Sequence, residues 1–120
     1  MKILIIIYLS TLTLILSQSL RKGKDLYFSR AQGATGLKAN SEPIDNAIIE
    51  FEKGSLNPET ALEAGIYLLR SYYYKGQFVI EDIAEKKEIF KKGKTLGESL
   101  ILEYTNSAAI RYWYLVNLGR

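Results

Sequence analysis

The residues of this sequence with the clearest capacity for acid–base chemistry are a group of carboxylates, Glu81, Asp82, Glu85 and Glu88. Two such groups can supply a general acid and a general base if both face one cleft. These four lie at the start of a predicted helix beside Lys86 and Lys87, an arrangement typical of a solvated face with salt bridges. We therefore expect a surface feature at this position and not a catalytic site.

Other catalytic and metal-binding chemistry lacks the residues that it needs. The sequence has no His and no Cys, which removes the commonest general base, the commonest metal ligand, disulfides and thiolate sites. No Ser has a triad partner, and the segment Gly33-Ala34-Thr35-Gly36 is too short for a phosphate loop. The net charge of +3 comes without a dense basic stripe, so we expect no nucleic-acid partner. The expectation is a non-catalytic protein without a metal or a cofactor.

Tyrosine and arginine side chains are the better candidates for a binding site. Tyr67, Arg70 and Tyr74 share one face of a predicted helix, and Arg111 and Tyr114 form a similar pair on another. Rigid aromatic rings and bidentate donors suit the binding of a peptide or a carboxylate in a groove. The alternative is that these side chains are amphipathic rings that cover a small core.

The first 19 residues have the layout of a secretory signal peptide. Lys2 forms a short basic start, residues 3–16 are almost wholly apolar, and Ser17-Gln18-Ser19 offers small residues to a signal peptidase. We expect cleavage after Ser19 and export of residues 20–120 to the periplasm or the cell exterior. The alternative is a retained N-terminal membrane anchor, although the apolar run is shorter than the ~20 residues that span a bilayer. No Cys follows the run, which excludes a lipoprotein anchor.

Hydrophobic periodicity and turn residues predict five helices and no convincing strand in residues 20–120. The first is expected from Asp25 to about Lys38, and the second from a Ser41 cap to about Gly54. The third is expected from an Asn57 cap, with Pro58 in its first turn, to Gly76. The fourth should run from Ile80 or Glu81 to Tyr104, and the fifth from Ala108 to Leu118 after an Asn106 or Ser107 cap. Residues 72–80 have a second interpretation as a tight β-hairpin, because aromatic and β-branched residues flank Lys75-Gly76.

Each long helix has an apolar stripe that we expect to face the core. The stripe of the third helix is predicted at Leu62, Ile66, Leu69 and Tyr73, and that of the fourth at Ile89, Gly93, Leu96, Leu100 and Tyr104. Gly93 and Gly97 either let a neighbouring helix approach closely or mark a kink.

Two short segments of the chain repeat one another, Phe51-Glu52-Lys53-Gly54 and Phe90-Lys91-Lys92-Gly93. The first follows Ala47 with Ala-x3-Phe spacing and precedes Pro58. Residues 47–58 therefore resemble the second helix of a tetratricopeptide repeat, with the proline one position early. The second unit departs from the family pattern, since Lys86 stands at the alanine position and no proline follows Tyr104.

The resemblance implies an all-α fold of antiparallel helical hairpins, stacked as a tetratricopeptide-like solenoid over residues 20–120. It also implies that the repeated residues are packing residues, and these are Ala47, Phe51, Gly54, Pro58, Phe90 and Gly93. The alternative is a generic helical bundle in which the repetition arose by chance.

The last predicted helix is strongly apolar around Tyr112-Trp113-Tyr114-Leu115-Val116. A solenoid needs a terminal helix with a polar outer face. We therefore expect further repeats after Arg120, in which case the chain is a fragment, or else an oligomer or another partner that covers Trp113.

Two functions follow from these observations. The first is an exported, non-catalytic scaffold that binds a protein or peptide, with the membrane involved only through the signal segment; an open groove with Tyr67, Arg70 and Tyr74 would favour it. The second is a small-ligand-binding accessory subunit of a cell-envelope transport system. A closed apolar pocket lined by Tyr72, Tyr73 and Trp113 would favour that function.

Overall fold

The fold is all-α, as the sequence predicts. A computed structural model describes residues 2–119, and these form five α-helices without a β-strand. The helices are α1 (Lys2–Phe28), α2 (Ser41–Gly54), α3 (Ala61–Tyr74), α4 (Ile83–Glu103) and α5 (Ala108–Leu118), with a π-helical turn at Lys75–Val79 between α3 and α4. Consecutive helices pack against each other, and α3 also contacts α1 and α5. Arg120, after which we expected further repeats, lies outside the described residues.

Side-chain caps begin three of the helices. The Asn40 side chain accepts a hydrogen bond from the backbone N–H of Glu42 at the start of α2. The cap is therefore Asn40, one residue before the predicted Ser41. Asp82 accepts from the N–H of Glu85 at the start of α4. Ser107 caps α5 as predicted, since its hydroxyl accepts from the N–H of Ile110. Local sequence therefore decides these helix starts.

The predicted helix from Asp25 to Lys38 is wrong. Asp25 lies inside α1, which ends at Phe28, and a loop follows. Gly33 and Gly36 have φ angles of 77° and 60° in that loop, the left-handed region that glycine adopts readily. The two glycines turn the chain back toward α2.

The start of α3 also differs from the prediction, because Asn57 and Pro58 lie in the turn before it. The Asn57 carboxamide oxygen accepts a hydrogen bond from the N–H of Glu59, which stabilises a turn instead of a helix start. The helix begins at Ala61, with Thr60 as its cap residue.

The segment after α3 is neither a helix end at Gly76 nor a β-hairpin. The helix continues as the π-helical turn Lys75–Val79. Gly76 is buried there, and a Cβ atom at this position would lie 2.5 Å from the Phe90 ring. The wider turn and the missing side chain therefore let α4 pack closely.

The predicted core stripe of α3 is only partly correct. Leu69 is fully buried, but Leu62 is 37% exposed. Helix α3 lies between two apolar clusters, one that includes α1 and α2 and one that includes α4 and α5. It therefore has a wider buried surface than one stripe, formed by Ala64, Gly65, Leu68, Leu69, Ser71 and Tyr72.

Glycines in α4 permit close packing of α5, which is one of the two roles expected of them. The Asn117 carboxamide occupies the space where a Cβ of Gly93 would lie, and Tyr114 lies against Gly97 in the same way. The apolar residues of α5 that face outward are Tyr112, Leu115 and Leu118, whereas Trp113 is half-buried against α3.

Candidate binding site

One surface of the protein combines two arginines with four aromatic rings from three helices. Helix α3 supplies Tyr67, Arg70 and Tyr74, while Tyr27 of α1 and Arg30 just beyond it come from the other side. Trp113 of α5 completes the group. We call these six residues the arginine–aromatic cluster.

Arg70 occupies the centre of the cluster. Its guanidinium carbon lies 4.9 Å from the ring centroid of Tyr27, 4.7 Å from that of Tyr67 and 5.1 Å from that of Trp113. Contacts of this length between a cation and an aromatic face are favourable. Three rings thus hold the charge of a half-buried side chain in place.

Arg30 lies in the loop after α1 and shares the Tyr27 ring with Arg70. Its guanidinium carbon is 4.2 Å from the centroid of Tyr27 and 5.0 Å from that of Tyr74. Its Nη1 donates a hydrogen bond to the Tyr27 carbonyl, and the Tyr74 hydroxyl donates to the Arg30 carbonyl. The loop after α1 is therefore tied to α3 at the cluster.

Neither arginine has an acidic partner within residues 2–119, whereas several surface lysines do. Lys24 pairs with Glu63 at 2.7 Å and Lys75 pairs with Asp45 at 2.7 Å. The buried Nε atoms of Arg30 and Arg70 have no hydrogen-bond acceptor in this part of the chain. The cluster therefore combines positive charge with aromatic rings and has no acidic partner among the described residues, a combination that favours a carboxylate.

The core supports the rings of the cluster. Phe51 is fully buried and stacks on Tyr67 with 5.2 Å between ring centroids. Tyr27, which is 3% exposed, meets Tyr67 edge to face at 5.5 Å. The site is therefore built on packed helices, which restricts the motion of its side chains.

Burial also affects the ionisation of groups at the cluster. It raises the pKa of Tyr74, and the nearby Arg30 charge lowers it by a smaller amount. The Tyr74 hydroxyl therefore keeps its proton at neutral pH and can act as a donor. At the edge of the cluster, the hydrogen bond that Lys24 donates to the Glu63 carboxylate raises the pKa of Lys24, which also lies 5.6 Å from the Tyr67 ring.

The structure brings together three of the five predicted binding residues, Tyr67, Arg70 and Tyr74. Arg111 lies elsewhere and donates a hydrogen bond to the Thr105 carbonyl, while Tyr114 packs on Gly97 of α4. These two residues do not join the cluster.

Sequence reasoning missed Tyr27 and Arg30. A signal for them existed, since Tyr27-x2-Arg30 has the same spacing as Tyr67-x2-Arg70. Both pairs place an arginine three residues after a tyrosine, although only Arg70 lies within a helix.

The aromatic residues expected to line one closed pocket are divided between two surface depressions. Tyr73 and Trp113, with ring centroids 6.2 Å apart, line one depression together with Tyr112. Tyr72 lines another, beside Glu88 and Leu96 of α4. The three rings therefore do not surround a common cavity in the described structure.

No group of three acidic, cysteine or histidine side chains suited to a metal ion occurs among residues 2–119.

Comparison of the chain with protein-family models, with curated proteins and with solved structures finds no match. The structure therefore defines the protein by its fold class alone: residues 2–119 form an all-α protein of five helices, the first of which begins with an apolar segment.

Proposed function

We propose that this protein is an exported, non-catalytic helical scaffold that binds a protein or peptide carrying carboxylates through the arginine–aromatic cluster. The observation that supports it most is Arg70, a half-buried guanidinium held by three rings and lacking a carboxylate partner within residues 2–119. Arg30 adds a second cation on the shared Tyr27 ring. Two planar cations beside aromatic faces match the side chains or C-terminus of an acidic peptide.

A tetratricopeptide-like arrangement of the helices belongs to the same proposal. Ala47 and Phe51 are fully buried and Gly54 lies against Ala64 and Leu20, as packing residues of a helical hairpin would. Helix α3 contacts α5 across α4, which is the relation between equivalent helices of successive hairpins. Pro58 takes part in the turn and not in a helix start.

The test uses the full chain in detergent and an array of immobilised peptides of defined sequence. Each acidic peptide is paired with a version in which glutamines replace the glutamates and an amide replaces the terminal carboxylate. We expect the protein to retain only acidic members, and Arg70→Gln to reduce this binding at least tenfold. Arg111→Gln is the matched control, since it removes an arginine outside the cluster. Two outcomes would contradict the proposal: equal retention of the acidic and the neutral peptide of each pair, or an equal loss of peptide binding in Arg70→Gln and Arg111→Gln.

A further inference from the structure

The first half of α1 is predominantly apolar, and its side chains are exposed on every side of the helix. The seven successive residues 3–9 each expose more than half of their surface, and seven residues cover two turns and so the whole circumference of a helix. An 18-residue window of α1 has a mean hydropathy of 2.0, with only 11% of it buried. A helix that packs on one side of a soluble core would show a polar face instead.

Two hydroxyl side chains of this half make the internal hydrogen bonds that a lipid environment favours. The hydroxyls of Thr11 and Thr13 donate hydrogen bonds to the carbonyls of Ile7 and Leu9 in the same helix. No charged residue occurs between Lys2 and Arg21. Residues 3–18, which precede the buried Ser19, extend over about 24 Å as a helix, which is most of the ~30 Å hydrocarbon thickness of a bilayer.

The second half of the same helix is part of the domain core. Leu20 and Tyr27 are 8% and 3% exposed, and Gly23 lies so close to Phe51 that a Cβ atom would be 2.7 Å from its ring. Helix α1 continues from the apolar half into this core without a break. The apolar half and the domain are therefore joined rigidly.

A hydrogen bond connects the apolar half to the loop between α2 and α3. The Asn57 side chain, on a residue only 3% exposed, donates from Nδ2 to the Ser17 hydroxyl at 3.2 Å. Cleavage after Ser19 would remove this acceptor. It would also place a charged amino terminus on Leu20, which is buried against Gly54, and a buried charge without a partner is unfavourable.

We propose that α1 is retained as a membrane anchor and that the α2–α3 loop rests on the bilayer surface through Leu56. Asn57 fixes the loop at the level of Ser17, near the end of the apolar run. Leu56, its neighbour, is 72% exposed and so meets the acyl-chain boundary. The exposed Arg21 and Lys22 follow the run at the depth of the headgroups, where basic side chains favour anionic lipid.

The first part of the test measures the intact mass of the full chain, expressed with a C-terminal tag and extracted from membranes. We expect the mass of the unprocessed chain and resistance to extraction by alkaline carbonate. A species that begins at Leu20 would overturn the proposal.

The second part locates the loop relative to lipid. The chain has no native Cys, so Leu9→Cys, Leu56→Cys and Leu102→Cys each take one fluorescent label. The labelled proteins enter vesicles of phosphatidylcholine and phosphatidylglycerol that carry nitroxide-labelled lipid. We expect at least threefold stronger quenching at positions 9 and 56 than at position 102, an 81% exposed leucine of α4. Quenching at position 56 no stronger than at position 102, with the fold verified by circular dichroism, would overturn the membrane contact of the loop.

Discussion

At the scale of single residues, Arg70 is the clearest case of a side chain whose placement favours binding. Partial desolvation of a charge without an acidic partner destabilises the folded state, and the cation–π contacts offset part of this destabilisation. We expect Arg70→Met to change the free energy of unfolding by less than about 1 kcal/mol, because these two effects oppose each other. Urea denaturation measures this change. A loss of more than about 3 kcal/mol would instead indicate a structural role.

Tyr72 gives a pH-dependent prediction. Burial, with a smaller contribution from the charge of Glu52, raises its pKa from 10.0 to about 12. The unfolded chain therefore loses this proton more readily, so the stability contribution is complete below pH 10 and falls as the pH rises toward 12. We expect Tyr72 to lower the free energy of unfolding by about 1 kcal/mol between pH 9 and 11, and we expect Tyr72→Phe to lack this decrease.

Urea denaturation of the wild type and Tyr72→Phe at both pH values measures this difference. Tyr112→Phe is the control, because Tyr112 is 60% exposed and its removal should leave the pH dependence as in the wild type. The same pH dependence in Tyr72→Phe and the wild type would contradict the assignment.

At the scale of elements, the α4–α5 pair depends on a glycine. Asn117 is 2% exposed, and its Nδ2 donates to the carbonyls of Leu69 and Trp113 at 3.0 and 2.9 Å. It thereby joins α5 to α3 while its carboxamide fills the space beside Gly93.

Gly93→Ala should destabilise the protein although alanine is the better helix former. An alanine in a helix gains about 1 kcal/mol over glycine, but the methyl group would displace Asn117 and its two hydrogen bonds. We expect a net loss of about 2–3 kcal/mol in thermal or urea denaturation. Thr95→Ala, on the exposed side of α4, should be neutral or slightly stabilising. A Gly93→Ala protein as stable as the wild type would show that α5 is loosely held.

Helix starts with a side-chain cap were predicted to within about two residues, whereas surfaces determined by tertiary contacts were not predicted. The bounds of α5 and its Ser107 cap follow from residues within a single turn. The wide buried surface of α3 does not, because it results from packing between two clusters.

The binding site shows the same division. Tyr67, Arg70 and Tyr74 share one helix face and could be grouped from their spacing. Tyr27 and Arg30 reach the cluster from another element, and no single-helix pattern predicts that meeting.

At the scale of the whole molecule, α1 relates the cluster to the membrane surface. About 15 Å of helix separates Ser17 from Tyr27, and Arg30 follows just beyond the helix end. If the anchor is retained, a ligand of the cluster is bound within a short distance of the bilayer. The molecule then presents a positively charged, aromatic surface close to the lipid headgroups.

The binding of an acidic peptide at the cluster is the central claim, and Trp113 fluorescence tests it most directly. Trp113 is the only tryptophan of the chain, and its ring lies 5.1 Å from the Arg70 guanidinium. The full chain in detergent is titrated with a short peptide that ends in two glutamates and a free carboxylate. Arg30→Gln removes a cation without removing the contact between Arg70 and Trp113, and Arg111→Gln is the control.

We expect a saturable change in Trp113 emission with the acidic peptide and none with its glutamine and amide version. The dissociation constant should rise about tenfold in Arg30→Gln, consistent with the loss of one charge-assisted hydrogen bond, and stay unchanged in Arg111→Gln. No saturable change with the acidic peptide, or the same affinity in the wild type and Arg30→Gln, would contradict the account.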